Sequence, residues 1–324
     1  MRNKGRRVDL ETEKIKKLYL VYDEVQTKVI EEHINNLKNT NTNSSETMMF
    51  IESAYKSIDE TMRLIDNNDF IDGLSVLRCA FETILFAIAM NLDEEIKKAY
   101  QNYNYKLYRA LQKKNKKQNN YSKSKENLTR LTEPRNIRKI VSKNHEKVFG
   151  KLFIDSSADE VEKELRSFYD YLCDITHPSI IKTFLYNIQK DDGDLTDVKS
   201  ILKININFCK MLLLLNLTYL TSQNKNETIY DLYMVLIFLN LYTVSNTENV
   251  AKILKKYDDF LYMENNSKIF EQRTKEINEL EKDFKSIDEK KIENILPKKM
   301  ENILIEFDCM DIFEKYFNQK LNQD

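Results

Sequence analysis

Four glycines and three prolines in 324 residues limit this chain more than any other feature. Tight turns draw on Gly, Pro, Asn and Asp, which supply the positive or fixed φ values that a sharp reversal needs. Sheet proteins and alternating αβ proteins of this length need many such reversals. Asn is plentiful here, but Gly is nearly absent. The expected fold is therefore all-α: a multi-helix bundle with additional C-terminal helices, joined by short polar links. The same shortage removes the Gly-rich phosphate loops. Neither GxGxxG nor GxxxxGK[ST] occurs, which excludes Rossmann and P-loop nucleotide sites.

Apolar spacing places the helices. Leu10, Ile15, Leu18, Tyr22, Val25, Val29 and Ile34 recur at threes and fours over 9–38. A polar link at 39–45 follows, with Asn43 and Glu46 spaced to cap a second helix that runs to about Asp66. Residues 69–92 are apolar nearly all round, as expected of a central helix. A Tyr-rich polar helix spans 94–117, and 113–127 reads as a mobile loop. Thr132 and Pro134 open a helix that ends near Gly150. Ser157 and Glu160 form a capping box for a helix to Asp174. Thr176, His177 and Pro178 make a junction, because the residue before proline is pushed out of the α region. A further helix continues to about Lys190. Beyond DDGDLTD at 191–197 lie helices near 198–222, 227–243 and 247–263, a short apolar seam at 266–296, and a last helix through Ile303, Phe307 and Phe313.

Domain organisation follows from these links. Residues 1–190 are expected to form a helical bundle with a basic insertion near 102–147. Residues 194–324 form a C-terminal helical region that could pack on the first as one unit. Leu74–Leu92, Ile201–Thr221 and Ile229–Val244 are the most apolar stretches, yet each is interrupted by charge, so buried core helices are expected rather than membrane spans. The first 20 residues are charged, with no apolar core of a signal peptide. The four cysteines, Cys79, Cys173, Cys209 and Cys309, have no CxxC spacing and sit in apolar helical contexts. A cytoplasmic location, no membrane partner and no metal or other cofactor are the expectations. HExxH, an ExxH pair and GxSxG are all missing.

Charge is distributed unevenly. The chain carries −1 overall, yet Asn102–Lys147 holds ten Lys and four Arg against three Glu, leaving +11 there and −12 elsewhere. Tyr105 and Tyr108 are interleaved with these cations, among them Lys113, Lys114, Lys116, Lys117, Arg135 and Lys139. Cations neutralise phosphates and aromatic rings stack on unpaired bases, so this is a footprint for single-stranded nucleic acid, RNA above all. The other reading is a solvated basic surface.

Within that segment, Arg138 and His145 are separated by six residues in RKIVSKNH. His moves protons near neutral pH, and Arg stabilises charge on a reacting phosphate. This spacing resembles the R-x(4–6)-H motif of the HEPN superfamily, small helical bundles that include many bacterial ribonucleases. The resemblance covers one short motif and the all-α context. It implies that Arg138 and His145 from two protomers meet at a homo-oligomer interface and cleave RNA without metal. The family often has a polar residue directly after the arginine, where this chain has Lys139.

A second constellation lies on the central helix. Arg78 and Glu82 stand four apart and share one face. RSFYDYLCDITHPS downstream places Tyr169, Tyr171, Asp174 and His177 near a helix end, and Arg78 and Glu82 are expected to face that segment. Two readings stand: a buried ion-pair network that fixes helix packing, and a catalytic or ligand pocket built on Arg78, Glu82 and His177. The pattern of LR and FE on an apolar helix, followed by Y..L...HP, is similar to an uncharacterised bacterial helical domain over about residues 50–190. That resemblance implies a role in abortive infection or phage defence, as a toxin-like protein acting on RNA. The alternative function is a non-enzymatic interaction protein that oligomerises or binds a protein partner.

Overall fold

The computed structural model describes residues 2–40, 45–112, 118–149, 156–177, 195–221, 300–305 and 307–317, with isolated positions at 182, 185–186, 231–232, 235–236 and 239. Among them there is no strand, and the fold is an all-α multi-helix bundle. In chain order the helices are α1 (Arg2–Thr40), α2 (Ser45–Asp66), α3 (Phe70–Leu92), α4 (Glu94–Gln112), α5 (Gln118–Leu131), α6 (Pro134–Lys143), α7 (His145–Phe149), α8 (Ala158–Thr176), α9 (Thr196–Thr221) and α10 (Met310–Phe317). Residues 300–305 form one further helical stretch before α10.

The core is built around α3. Twelve of its residues are buried, from Phe70 to Met90, and it packs on α2, α6, α8 and α9. The hairpin of α2 and α3 turns at Asn67 and Asn68. Asn68 takes a φ of 67°, a left-handed conformation that Asn tolerates better than most residues. Gly73 then lets the two helices close up, because a Cβ there would lie 3.0 Å from Ile65 Cδ1. Asp93 closes α3 and opens α4, where its Oδ1 accepts from the Glu95 N–H at 2.8 Å and the Ile96 N–H at 3.3 Å.

The helices α3 and α9 are each long and apolar enough, by length and composition, to cross a membrane. In the fold 61% and 76% of their apolar windows are buried by neighbouring helices, the position of core elements. Helix α9 packs on α1, α2, α3 and α7, so the chain after 195 joins the same core. Lys203 pairs with Asp66 at 2.8 Å, and Lys199 Nζ donates to the Asp66 carbonyl at 2.7 Å. Lys210, 6% exposed, donates to Asp23 Oδ1 at 2.7 Å and Thr27 Oγ1 at 3.1 Å on α1. Helix α10 lies on α1, where Lys315 and Tyr316 both donate to Glu24.

Two expectations change. Residues 118–127 are not a loop but most of α5, which packs on α4. The expected last helix is broken at Phe307–Cys309, where Asp308 has a φ of 50°, and α10 starts afresh at Met310. The Ser157 and Glu160 capping box is present in full at the start of α8. Pro134 occupies the first turn of α6, and the Thr132 hydroxyl donates back to the Leu128 carbonyl at the end of α5. The Asn43 cap, most of the link at 191–197, the helices expected at 247–263 and the seam at 266–296 lie outside the described residues, and of 227–243 only isolated positions are described.

Candidate functional site

The bundle opens in a cleft of about 250 Å³. Helix α3 contributes Glu82, Thr83, Leu85 and Phe86, one turn and a half of its outer face. Helix α2 adds Phe50. The link between α5 and α6 adds Thr132 and Pro134, the first turns of α6 add Ile137 and Arg138, and α8 adds Tyr169. The aromatic wall is held from behind. Phe50 and Phe86 meet edge to face at 4.9 Å, and Tyr100 of α4 touches both, at 5.2 and 5.8 Å.

Behind the polar lining of Glu82, Arg138 and Tyr169, a network reaches Arg78 and Thr176, which do not line the cleft themselves. Arg78 donates from Nε to Glu82 Oε1 at 2.9 Å, from Nη1 to Thr176 Oγ1 at 2.7 Å, and from Nη2 to the Tyr169 hydroxyl at 3.4 Å. The Tyr169 ring also meets both arginines, with guanidinium carbons at 5.4 Å for Arg78 and 4.8 Å for Arg138. Burial pushes the Tyr169 hydroxyl pKa up, the neighbouring Cys173 adds to the rise, and Arg78 pulls against it. The phenol therefore stays protonated at neutral pH. Burial disfavours the charge on Arg78, but the Glu82 hydrogen bond leads the attractions that outweigh it, so its pKa ends above the ordinary value.

Arg138 is the least satisfied group at the site. The residue is 6% exposed, and neither Nε nor Nη1 has a hydrogen-bond partner. Its nearest carboxylate oxygen, on Glu162, stands 3.6 Å from Nε, an ion pair outside hydrogen-bond length. His145 is also 6% exposed and sits at the start of α7. Its Nδ1 lies 2.7 Å from the Ser142 carbonyl, which can only accept, so Nδ1 carries a proton, while Nε2 is buried without a partner. Arg138 lines the cleft and His145 does not. His177 is the exposed C-cap of α8, and it is not among the lining residues either.

The nucleic-acid candidates lie outside the cleft. Tyr105 and Tyr108 are 59% and 61% exposed on α4, and Arg109 stands over the Tyr105 ring at 5.7 Å. Arg135 and Lys139 are exposed on α6. Lys113, Lys114, Lys116 and Lys117 lie outside the described residues. Among the described residues no group of His, Cys, Asp and Glu could hold a metal ion. Sequence reasoning passed over Phe50, Phe86, Ile137 and Glu162. Nothing local marks them, since each is an ordinary helix residue that only the tertiary fold turns toward Arg138.

This arrangement defines an all-α bundle with a mixed cleft: one buried arginine, the Glu82 carboxylate, a phenol and an aromatic wall, with Arg78 behind Glu82 and outside the lining. Residues 47–195 match a family of unknown function, DUF5677, and every residue that lines the cleft falls inside that span. No curated protein and no solved structure matches the chain.

Proposed function

We propose that this protein binds single-stranded RNA along the outer faces of α4, α5 and α6. The observation that carries the reading is the exposure of Tyr105 and Tyr108, 59% and 61%, one turn apart on a helix flanked by cations. Lys123, Lys125 and Arg130 are exposed on α5, and Arg135, Lys139 and Lys143 on α6. Together they line a path on which phosphates meet Lys and Arg while bases stack on the phenol rings. Unpaired stretches are common in RNA and rare in duplex DNA, so RNA is the ligand that this surface suits. Arg138 and His145, each 6% exposed, lie below this surface, so binding rather than strand cleavage is the activity the accessible groups support.

The test is fluorescence anisotropy with an unstructured RNA of about 12 nucleotides, titrated at salt from about 50 to 300 mM. Affinity should fall steeply with salt. Tyr105→Ala with Tyr108→Ala should weaken binding about tenfold or more, on the scale of one or two lost stacks. Arg135→Ala and Lys139→Ala should each flatten the salt slope by about 0.7. A wild-type chain that leaves the RNA free at the lowest salt refutes the proposal. So does a double Tyr variant that binds as the wild type does.

A further inference from the structure

The cleft is a different surface from the Tyr-bearing helices, and most of the polar capacity that its lining leaves open is acceptor capacity. We infer that it is a pocket for one neutral, flat heterocycle that presents two adjacent N–H donors, the edge that guanine carries. The hydroxyls of Thr83 and Thr132 donate their protons to the Cys79 and Leu128 carbonyls, at 2.7 and 2.8 Å, so they offer a ligand only oxygen lone pairs. The Tyr169 hydroxyl is engaged by Arg78 and Cys173. Arg138 Nε and Nη1 are closed to solvent, with Glu162 3.6 Å from Nε. Glu82 is the charged group of the lining with open capacity. Its side chain is 41% exposed, and Arg78 takes one site on Oε1 at 2.9 Å. A carboxylate has about four acceptor sites, so both oxygens of Glu82 can still accept.

Charge and shape select among donors. Arg78 with Glu82 and Arg138 with Glu162 are two matched pairs, so a neutral ligand leaves the site balanced, while an ammonium group or an anion adds an unmatched charge beside half-buried ones. The N1–H and 2-amino groups of guanine lie side by side and match the two oxygens of a carboxylate. Adenine, cytosine and uracil each set an acceptor next to the donor on that edge, which would meet Glu82 lone pair to lone pair. Phe50, Leu85, Phe86 and Ile137 form an apolar wall for the ring. The volume of about 250 Å³ lies below the roughly 300–1,000 Å³ of pockets for drug-sized ligands, which suits a single ring system. Such a base has two sources: a free nucleoside, or an unpaired position of a strand. The pocket stands on its own geometry; only the second source rests on the RNA reading above.

Titration calorimetry of the full chain with guanosine, inosine, adenosine, cytidine and uridine tests this. Guanosine should bind at one site with Kd below about 1 mM. Inosine, which lacks the 2-amino group, and the other three should bind about tenfold or more weaker, the scale of one hydrogen bond to a charged group. Glu82→Gln puts a donor in place of an acceptor, and Thr83→Phe fills the cleft while leaving Glu82 in place; each should weaken guanosine about tenfold or more. Thermal melting checks both variants, and Thr83→Phe decides if Glu82→Gln does not fold. The Tyr105 and Tyr108 double variant should bind guanosine as the wild type does. An oligouridine with one central guanosine that binds about tenfold tighter than plain oligouridine, with the gain lost in Thr83→Phe, assigns the base of a strand. Guanosine binding without that gain supports the pocket with free nucleoside as its source. Any other nucleoside binding as tightly as guanosine overturns the pocket, and so does guanosine binding that both variants leave unchanged. No guanosine binding together with no guanine preference in RNA overturns it too, whether or not RNA binds the tyrosines.

Discussion

Arg138 and Tyr169 join α6 to α8 through a guanidinium carbon 4.8 Å from the ring centre. Because Arg78 uses the same ring at 5.4 Å, one side chain couples three helices. Tyr169→Ala should cost about 2–3 kcal/mol of unfolding free energy, from lost ring burial and two lost cation–π contacts. Tyr169→Phe keeps the ring and loses the hydroxyl's 3.4 Å bond from Arg78 and its hydrogen bond with Cys173, so it should cost about 1 kcal/mol, less than Tyr169→Ala. Urea denaturation separates the two. If Phe is as damaging as Ala, the hydroxyl and not the ring is the coupling element.

Lys210 and Asp23 form a partly buried ion pair between α9 and α1, with side-chain exposures of 7% and 32% and a 2.7 Å contact. Removing one partner leaves the other charge unmatched. Lys210→Met and Asp23→Asn should each destabilise, and the double variant should cost less than the sum. A coupling of about 1–3 kcal/mol is expected in a double-mutant cycle. A coupling near zero would mean that water already satisfies Asp23.

At the start of α8 the Ser157 Oγ accepts from the Glu160 N–H at 3.3 Å, and Glu160 accepts from the Ser157 N–H at 2.6 Å. Ser157→Ala should cost about 1 kcal/mol and Ser157→Asp much less, because aspartate also caps. Hydrogen exchange of the first turn of α8 is the readout. Equal protection in Ala and Asp variants would remove the cap from the account.

Acid should loosen α10 first. The hydrogen bond from Lys315 holds the Glu24 carboxyl below its ordinary value of 4.5, with Tyr316 adding to the effect against burial. A depressed carboxylate pKa contributes stability that is present above the unfolded value and disappears as pH falls through the folded one. Amide exchange in α10 should therefore quicken below about pH 4.5, and Glu24→Gln should abolish that pH step. An unchanged step in Glu24→Gln would locate the titrating group elsewhere.

The sequence was most legible where the physics is local. The scarcity of Gly and Pro pointed to helices, and Ser157 with Glu160 marked a helix start because both capping partners lie within one turn. It was least legible where structure is long-range or lacks an apolar stripe. Helix α5 is polar, and Ser124 is its only buried residue among those whose burial is described, so no periodicity betrayed it. The break at Asp308 needs a left-handed residue that Gly would have announced and Asp did not. At the cleft, Arg78 and Glu82 were visible as a pair on one turn. Their meeting with Arg138 at Tyr169 was not, since no spacing rule links positions so far apart.

The α4 and α5 hairpin has a consequence for how such a chain can change. Between Gln101 and Arg130 it buries only Ser124 among the residues whose burial is described, while the bundle beneath it is anchored by α3. Substitutions there, or an added helical turn, leave the load of the core where it was. Sequence change in the hairpin is thus separable from foldability in this architecture, while the ten residues around the cleft keep a fixed environment.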